Sequence, residues 1–104
     1  MFHSKQEFQS FLDKNKNNII ILLFTATWCT PCKRSKPIIY EHLKKHPEYI
    51  YLEIDYDEYN TFASSMKIRS IPSIFVYING EREHVCLNSS KSHIDDMFNK
   101  LNSQ

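Results

Sequence analysis

The stretch Ile19-Ile20-Ile21-Leu22-Leu23-Phe24-Thr25-Ala26-Thr27-Trp28-Cys29-Thr30-Pro31-Cys32-Lys33 decides how this chain is read. Residues 19 to 24 are apolar at every position and partly β-branched, the pattern of a strand buried on both faces. A loop follows, and Pro31 suits the first turn of a helix. Cys29 therefore falls just after a buried strand, and Cys32 in the first turn of the next helix. Such a pair has three readings: a redox couple, a metal clamp, or two packing residues that happen to be close. A helix N-terminus offers unpaired N–H groups and the positive end of a macrodipole, and both favour a thiolate. A free thiol has a pKa of about 8.5, and such settings lower it by one to several units. Lys33 and Arg34 add positive charge nearby. On this reading Cys29, at the loop edge, is the exposed nucleophile. Cys32, one turn in, resolves the mixed disulfide.

The bulk composition sets the frame. With 104 residues the chain forms one small domain, 1–104, with room for one core. Hydrophobic residues at 41% are enough to drive folding. A formal net charge of +1 gives no field that points to nucleic acid or an anionic membrane. No apolar run is long enough to span a bilayer. The N-terminus, Met1-Phe2-His3-Ser4, lacks the apolar core of a secretory signal. A cytoplasmic, monomeric protein is the expectation. Three cysteines make an odd count, which argues against a secreted disulfide framework.

Outward from the opening stretch, periodicity and turn chemistry place the other elements. Ser4 with Glu7 fits a capping box, and Phe8, Phe11 and Leu12 form one stripe of a helix over residues 4 to 14. A helix over residues 31 to 46 carries Pro37 inside it and is expected to kink there. Its Ile38, Ile39 and Leu43 face a sheet. Residues 49 to 56 alternate as a strand, with Ile50, Leu52 and Ile54 on one side. A short helix spans residues 58 to 66, a strand 73 to 78 and its partner 81 to 87. Asn79-Gly80 is a type I′ hairpin signal between them. A closing amphipathic helix spans 91 to 102. The order is α-β-α-β-α-β-β-α. The two βα crossovers imply parallel strands and the hairpin an antiparallel pair, giving an α/β fold with helices on both faces of a mixed sheet.

At this point the residues carry a family resemblance. The stretch from Phe24 to Lys33 resembles the thioredoxin active site, with Thr30 where most members have glycine. Pro37 matches the kink proline of the following helix, Ile71-Pro72 the cis-proline, and Asn79-Gly80 the hairpin turn. The likeness runs from about residue 8 to 101. It implies a thioredoxin fold with a four- or five-stranded sheet, the first strand being reduced to Met1-Phe2-His3 and residues 50–55 left at the edge. It implies a protein disulfide reductase that exchanges dithiol and disulfide through Cys29 and Cys32, with no cofactor beyond that pair. Trp28, Thr30, Pro31, Ile71 and Pro72 would form the groove for protein disulfide substrates. Thioredoxin reductase would supply electrons, with a role in electron transport and cell redox homeostasis.

The chain also departs from the family pattern. At Leu23 most thioredoxins carry a buried aspartate that helps move the proton of the resolving cysteine. Leucine there is expected to stabilise the fold and to activate Cys32 less well. Asn88 replaces a glycine that approaches the active-site loop, and asparagine tolerates left-handed backbone. Lys33, like Arg34, reads as a solvated face with a modest electrostatic effect. Cys86 reads as a small buried residue of the last strand. A zinc site on Cys29, Cys32 and histidines is the weaker rival, since His3, His42, His46, His84 and His93 are scattered and no second Cys pair exists. Two further readings stand beside the reductase. One is a glutathione-linked, glutaredoxin-like reductase; the other is a thioredoxin-fold binding or chaperone-like module that clasps a partner beside Ile71-Pro72.

Overall fold

The computed structural model describes residues 1–103. Its sheet is built on β1, Ile20–Thr25, which is buried at all six positions. β1 lies between β2 (Ile50–Asp55) and β3 (Ser73–Ile78), and β4 (Glu81–Cys86) follows β3, giving the order β2-β1-β3-β4. The sheet thus has four strands, with β2 at one edge. The side chains of β1 alternate between two cores. Ile20, Leu22 and Phe24 pack against Phe8 and Leu12 of α1 (Lys5–Lys14) and Phe62 and Ala63 of α3 (Asn60–Ser65). Ile21 and Leu23 pack against Ile39 of α2 (Thr30–Lys44) and Ile94, Met97, Phe98 and Leu101 of α4 (Lys91–Asn102). Each helix buries one stripe and so needs one face of the sheet; four helices cover both faces.

Strand direction departs from the sequence expectation. β1 and β2 run parallel, as a long α2 crossover allows. β3 runs antiparallel to β1, so the second crossover does not add a parallel strand. The physical reason is the length of α3. Its six residues rise only about 9 Å, too little to carry the chain back along a strand. The chain therefore re-enters the sheet from the end it left, and Ser73 comes to lie opposite Phe24.

Local chemistry explains the element ends. Ser4 caps α1, its Oγ accepting from the Glu7 N–H at 3.1 Å. The Glu7 carboxylate accepts from the His3 N–H, one residue before the cap, rather than from Ser4 itself. Residues 1–3 form no strand. Phe2 is instead buried by its ring, against Phe8, Phe11 and Phe62 at 5.1 to 5.6 Å between centroids. Asn79 and Gly80 have φ of 55° and 81°, the left-handed pair that a type I′ turn demands. α2 starts at Thr30, one residue before the proline, and Pro37 lies inside it.

α2 is tied to β2 through Glu53, whose carboxylate accepts from the hydroxyls of Tyr51, at 2.8 Å, and Tyr40. Lys36 pairs with its other oxygen at 3.3 Å. Burial, with the Glu53 charge beside it, pushes Tyr40 up to about 12 and Tyr51 higher still. Burial pushes Tyr77 up to about 12 against the opposing Arg82 charge. A tyrosine that ionises later in the folded state holds more protons there than in the unfolded chain. Its contribution is complete below the ordinary value of 10.0 and is lost as pH rises from 10.0 towards the folded value. Urea unfolding across that window should show stability falling with pH, and Tyr51→Phe should make the fall shallower. A fall of equal slope in the variant would dissociate Tyr51 from the alkaline limb.

Candidate active site

β1 ends at Thr25 and the chain turns within four residues to open α2. The turn is closed by the Cys29 N–H donating to the Ala26 carbonyl at 3.2 Å. Cys29 is the N-cap of α2, with extended backbone and a side chain turned over the helix start. Its Sγ accepts from the Cys32 N–H at 3.2 Å. That N–H is one of those a helix start leaves unpaired, so here a sulfur takes the place a serine or aspartate oxygen usually fills. Pro31 gives up no needed donor in this first turn. Its carbonyl accepts from the buried Ser35 hydroxyl at 2.7 Å.

Cys29 and Cys32 form a disulfide with 5.3 Å between their Cα atoms. One expectation is corrected. Cys29 is not exposed: only 3% of it reaches solvent, against none of Cys32. Ala26 packs against the pair from its own loop, while Tyr56 and Ile71 arrive from the ends of other segments. Burial of Cys29 follows from those two distant neighbours and from the bond to Cys32. The surface beside the pair comes from Trp28, which is 62% exposed, and from the exposed Thr30. Lys33 and Arg34 are exposed too, on the outer side of the same turn.

Ile71-Pro72 is a cis peptide, with Pro72 buried and Ile71 half-buried against the cysteines. It arrives here because β3 enters the sheet beside the end of β1. The turn leading into it is pinned by the Ser73 hydroxyl donating to the Ser70 carbonyl at 2.6 Å. Leu23 is fully buried in the core below, between Glu53 of β2 and Ile74 of β3 in the strand register.

Asn88 behaves otherwise than its sequence position suggests. Its backbone is not left-handed; positive φ outside glycine occurs at Lys67 and Asn79. Its contacts are local: the side-chain oxygen accepts from the Ser90 N–H at 2.8 Å, and the carbonyl accepts from the Cys86 thiol at 3.4 Å. The buried Cys86 is thereby satisfied within its own loop.

Two residues to which the sequence reading gives no role in the site complete the rim. Asp57 accepts from the Trp28 indole N–H at 2.7 Å and so orients the ring beside the cysteines. Asp55 holds that turn, its carboxylate accepting from the Asp57 and Glu58 N–H groups. In the sequence Asp55 reads only as the last acid of the strand over 49 to 56 and Asp57 is not singled out; the parallel β1–β2 register brings them to Trp28. Among the described residues no three His, Cys, Asp or Glu side chains converge as metal ligands, and no helix is long and apolar enough to cross a membrane.

A disulfide-forming Cys-x-x-Cys pair capping a helix, beside a cis-proline on a mixed sheet, defines a dithiol–disulfide oxidoreductase. Comparison with known proteins agrees. The family profile described as Thioredoxin matches residues 1–101. A thioredoxin of Ophiophagus hannah is 31% identical over 94 residues, covering 90% of each chain. The thioredoxin of Homo sapiens is 30% identical over 98 residues, covering 94% of this chain and 93% of that one. The solution structure of oxidised thioredoxin from Plasmodium falciparum superposes with a TM-score of 0.78 at 30% identity, covering 96% of this chain and 94% of that one. The chain belongs to the thioredoxin family, whose members are protein disulfide oxidoreductases that work through a redox-active disulfide and no external cofactor.

The Trp28–Asp57 bond has a measurable consequence. Trp28 is the sole tryptophan, so its fluorescence reports the rim of the site. Asp57→Ala should alter that emission and slow reduction of protein disulfides roughly threefold, the worth of one exposed hydrogen bond. Unchanged emission would mean the bond does not hold the ring in solution.

Proposed function

We propose that this protein reduces disulfides of other proteins, with Cys29 as the nucleophile and Cys32 as the resolving thiol. The observation that carries the assignment is the position of Cys29 as N-cap. Its sulfur accepts a helix-start N–H, an interaction that stabilises a thiolate more than a thiol. The Cys29 thiolate attacks one sulfur of the target disulfide, forming a mixed disulfide and expelling the other sulfur as a thiolate. The Cys32 thiolate then attacks Cys29 Sγ. The Cys29–Cys32 bond forms, the mixed disulfide breaks, and the second target thiolate leaves. Two electrons pass to the target, whose thiolates take up two protons, one of them released when Cys32 ionises.

Trp28, Thr30, Pro31, Ile71 and Pro72 form the groove in which the target strand lies. The residue before the cis-proline offers its backbone to that strand, as in β-augmentation on a small scale. We assign the whole of residues 1–104 to one domain acting as a cytoplasmic monomer, with a thioredoxin reductase as electron donor. The near-balanced charge supports a partner recognised by local contacts rather than by a long-range field.

Insulin reduction by dithiothreitol tests the roles. Cys29→Ser should fall to the rate of dithiothreitol alone, and Cys32→Ser should trap mixed disulfides visible on non-reducing gels. Trapping by the Cys29→Ser variant instead would reverse the assignment.

A second reading, a clasping module with little turnover, draws on Leu23. No carboxylate stands at that fully buried position to take the proton of Cys32. Leu23→Asp separates the readings. It should cost at least about 2 kcal/mol in urea unfolding, from lost packing and a buried acid. It should also speed insulin reduction near neutral pH if Cys32 activation limits turnover. Loss of stability with no gain in rate would sink that account of Leu23.

A further inference from the structure

On the α1 face, away from α2, lies a groove of about 590 Å³ between α1, β3, β4 and the segment that leads into the cis-proline. Its floor is aromatic, made by Phe8, Phe75 and Tyr77. Its rim carries Lys5, Lys67, Arg69 and Arg82, and no Asp or Glu lines it. The chain as a whole has 13 Lys and Arg against 12 Asp and Glu, so a rim of one sign is a local arrangement and not an overflow of total charge. None of the four cations enters an ion pair among the described residues; Arg82 lies over the Phe75 ring, 4.7 Å from its centroid. Tyr77 is 5% exposed, and its hydroxyl has no hydrogen-bond partner among the described residues. The hydroxyl opens into the groove, where an occupant can reach it.

We infer that this groove docks an acidic segment of the protein whose disulfide is being reduced. The inference rests on the disulfide-exchange reading above and specifies its substrate class. Arg69 and Ser70 line one end of the groove, directly before Ile71-Pro72. A target strand lying across the cis-proline therefore leads into it, and the occupant is continuous with the chain that carries the disulfide. Carboxylates of that segment meet the four cations, and the Tyr77 hydroxyl donates to one of them. The aromatic floor takes the apolar side chains between. A nucleic acid fits less well. Four cations on a chain of net charge +1 give few phosphate contacts, and nothing would tie a polynucleotide to the cysteines.

The test uses two peptides with the same internal disulfide, one flanked by Glu and one by Lys. Reduced protein is mixed with each, and oxidation is followed by Trp28 fluorescence at low and high ionic strength. The Glu-flanked peptide should react about tenfold faster at low salt, with the ratio shrinking as salt rises. Lys5→Glu with Arg69→Glu, both at exposed positions, should abolish the ratio and leave the rate on the uncharged 2-hydroxyethyl disulfide unchanged. Equal rates for the two peptides in the unmodified protein would overturn the inference, as would a ratio that survives in the variant. So would tighter binding of a single-stranded oligonucleotide than of the Glu-flanked peptide. Inactivity on 2-hydroxyethyl disulfide would instead strike the disulfide-exchange reading. The groove is then judged by anisotropy of the labelled Glu-flanked peptide on the Cys29→Ser, Cys32→Ser protein, where about tenfold weaker binding after the two charge reversals supports docking and equal binding refutes it.

Discussion

A strand with no exposed residue has to be covered on both sides, and β1 is such a strand. That constraint organises the molecule. Helices must lie on each face, so the chain must cross from one face to the other between strands. The two cores meet through the alternating side chains of β1 and of its neighbour β3. Every functional group then hangs from the ends of this strand or of its neighbours. The end of β1 is where the backbone leaves the sheet, and a helix that starts there points its free N–H groups at whatever the loop supplies. Here the loop supplies a cysteine.

The second determinant is the shortness of α3. Because six residues cannot return the chain along the sheet, β3 runs against β1 and begins where β1 ends. The cis-proline reaches the cysteines through this reversal. Had the helix been long enough for a parallel return, Ile71 would stand at the opposite end of the sheet and the pair would lack its apolar neighbour. Strand direction, set by helix length, is thus a condition for the site and not a detail of topology.

The legible parts of the sequence are those governed by periods of a few residues. The strand over 73 to 78 and the amphipathic helix over 91 to 102 have the bounds that the sequence suggests. Asn79-Gly80 declares its turn by backbone chemistry alone. The less legible parts depend on partners far along the chain. The burial of Cys29 comes from Tyr56 and Ile71, neither of which is near it in sequence. Asp57 gains its meaning only through Trp28, and the Asn88 side chain is held by the Ser90 N–H of its own loop. The antiparallel entry of β3 is less legible because element order suggests a crossover, and the helix read over 58 to 66 closes to six residues once its ends are fixed.

A sheet of four strands has two open borders, and this one finishes them differently. β4 presents Glu81, Arg82 and Glu83 in succession, all exposed, and alternating charge at a border discourages a second sheet from joining it. β2 has no such run. Its border is the place a further strand would occupy, and Phe2 is spent on the helical layer instead of extending the sheet. What guards it is brevity, six residues, and the tethering of Tyr51 and Glu53 towards α2. The β2 border is therefore the less guarded of the two.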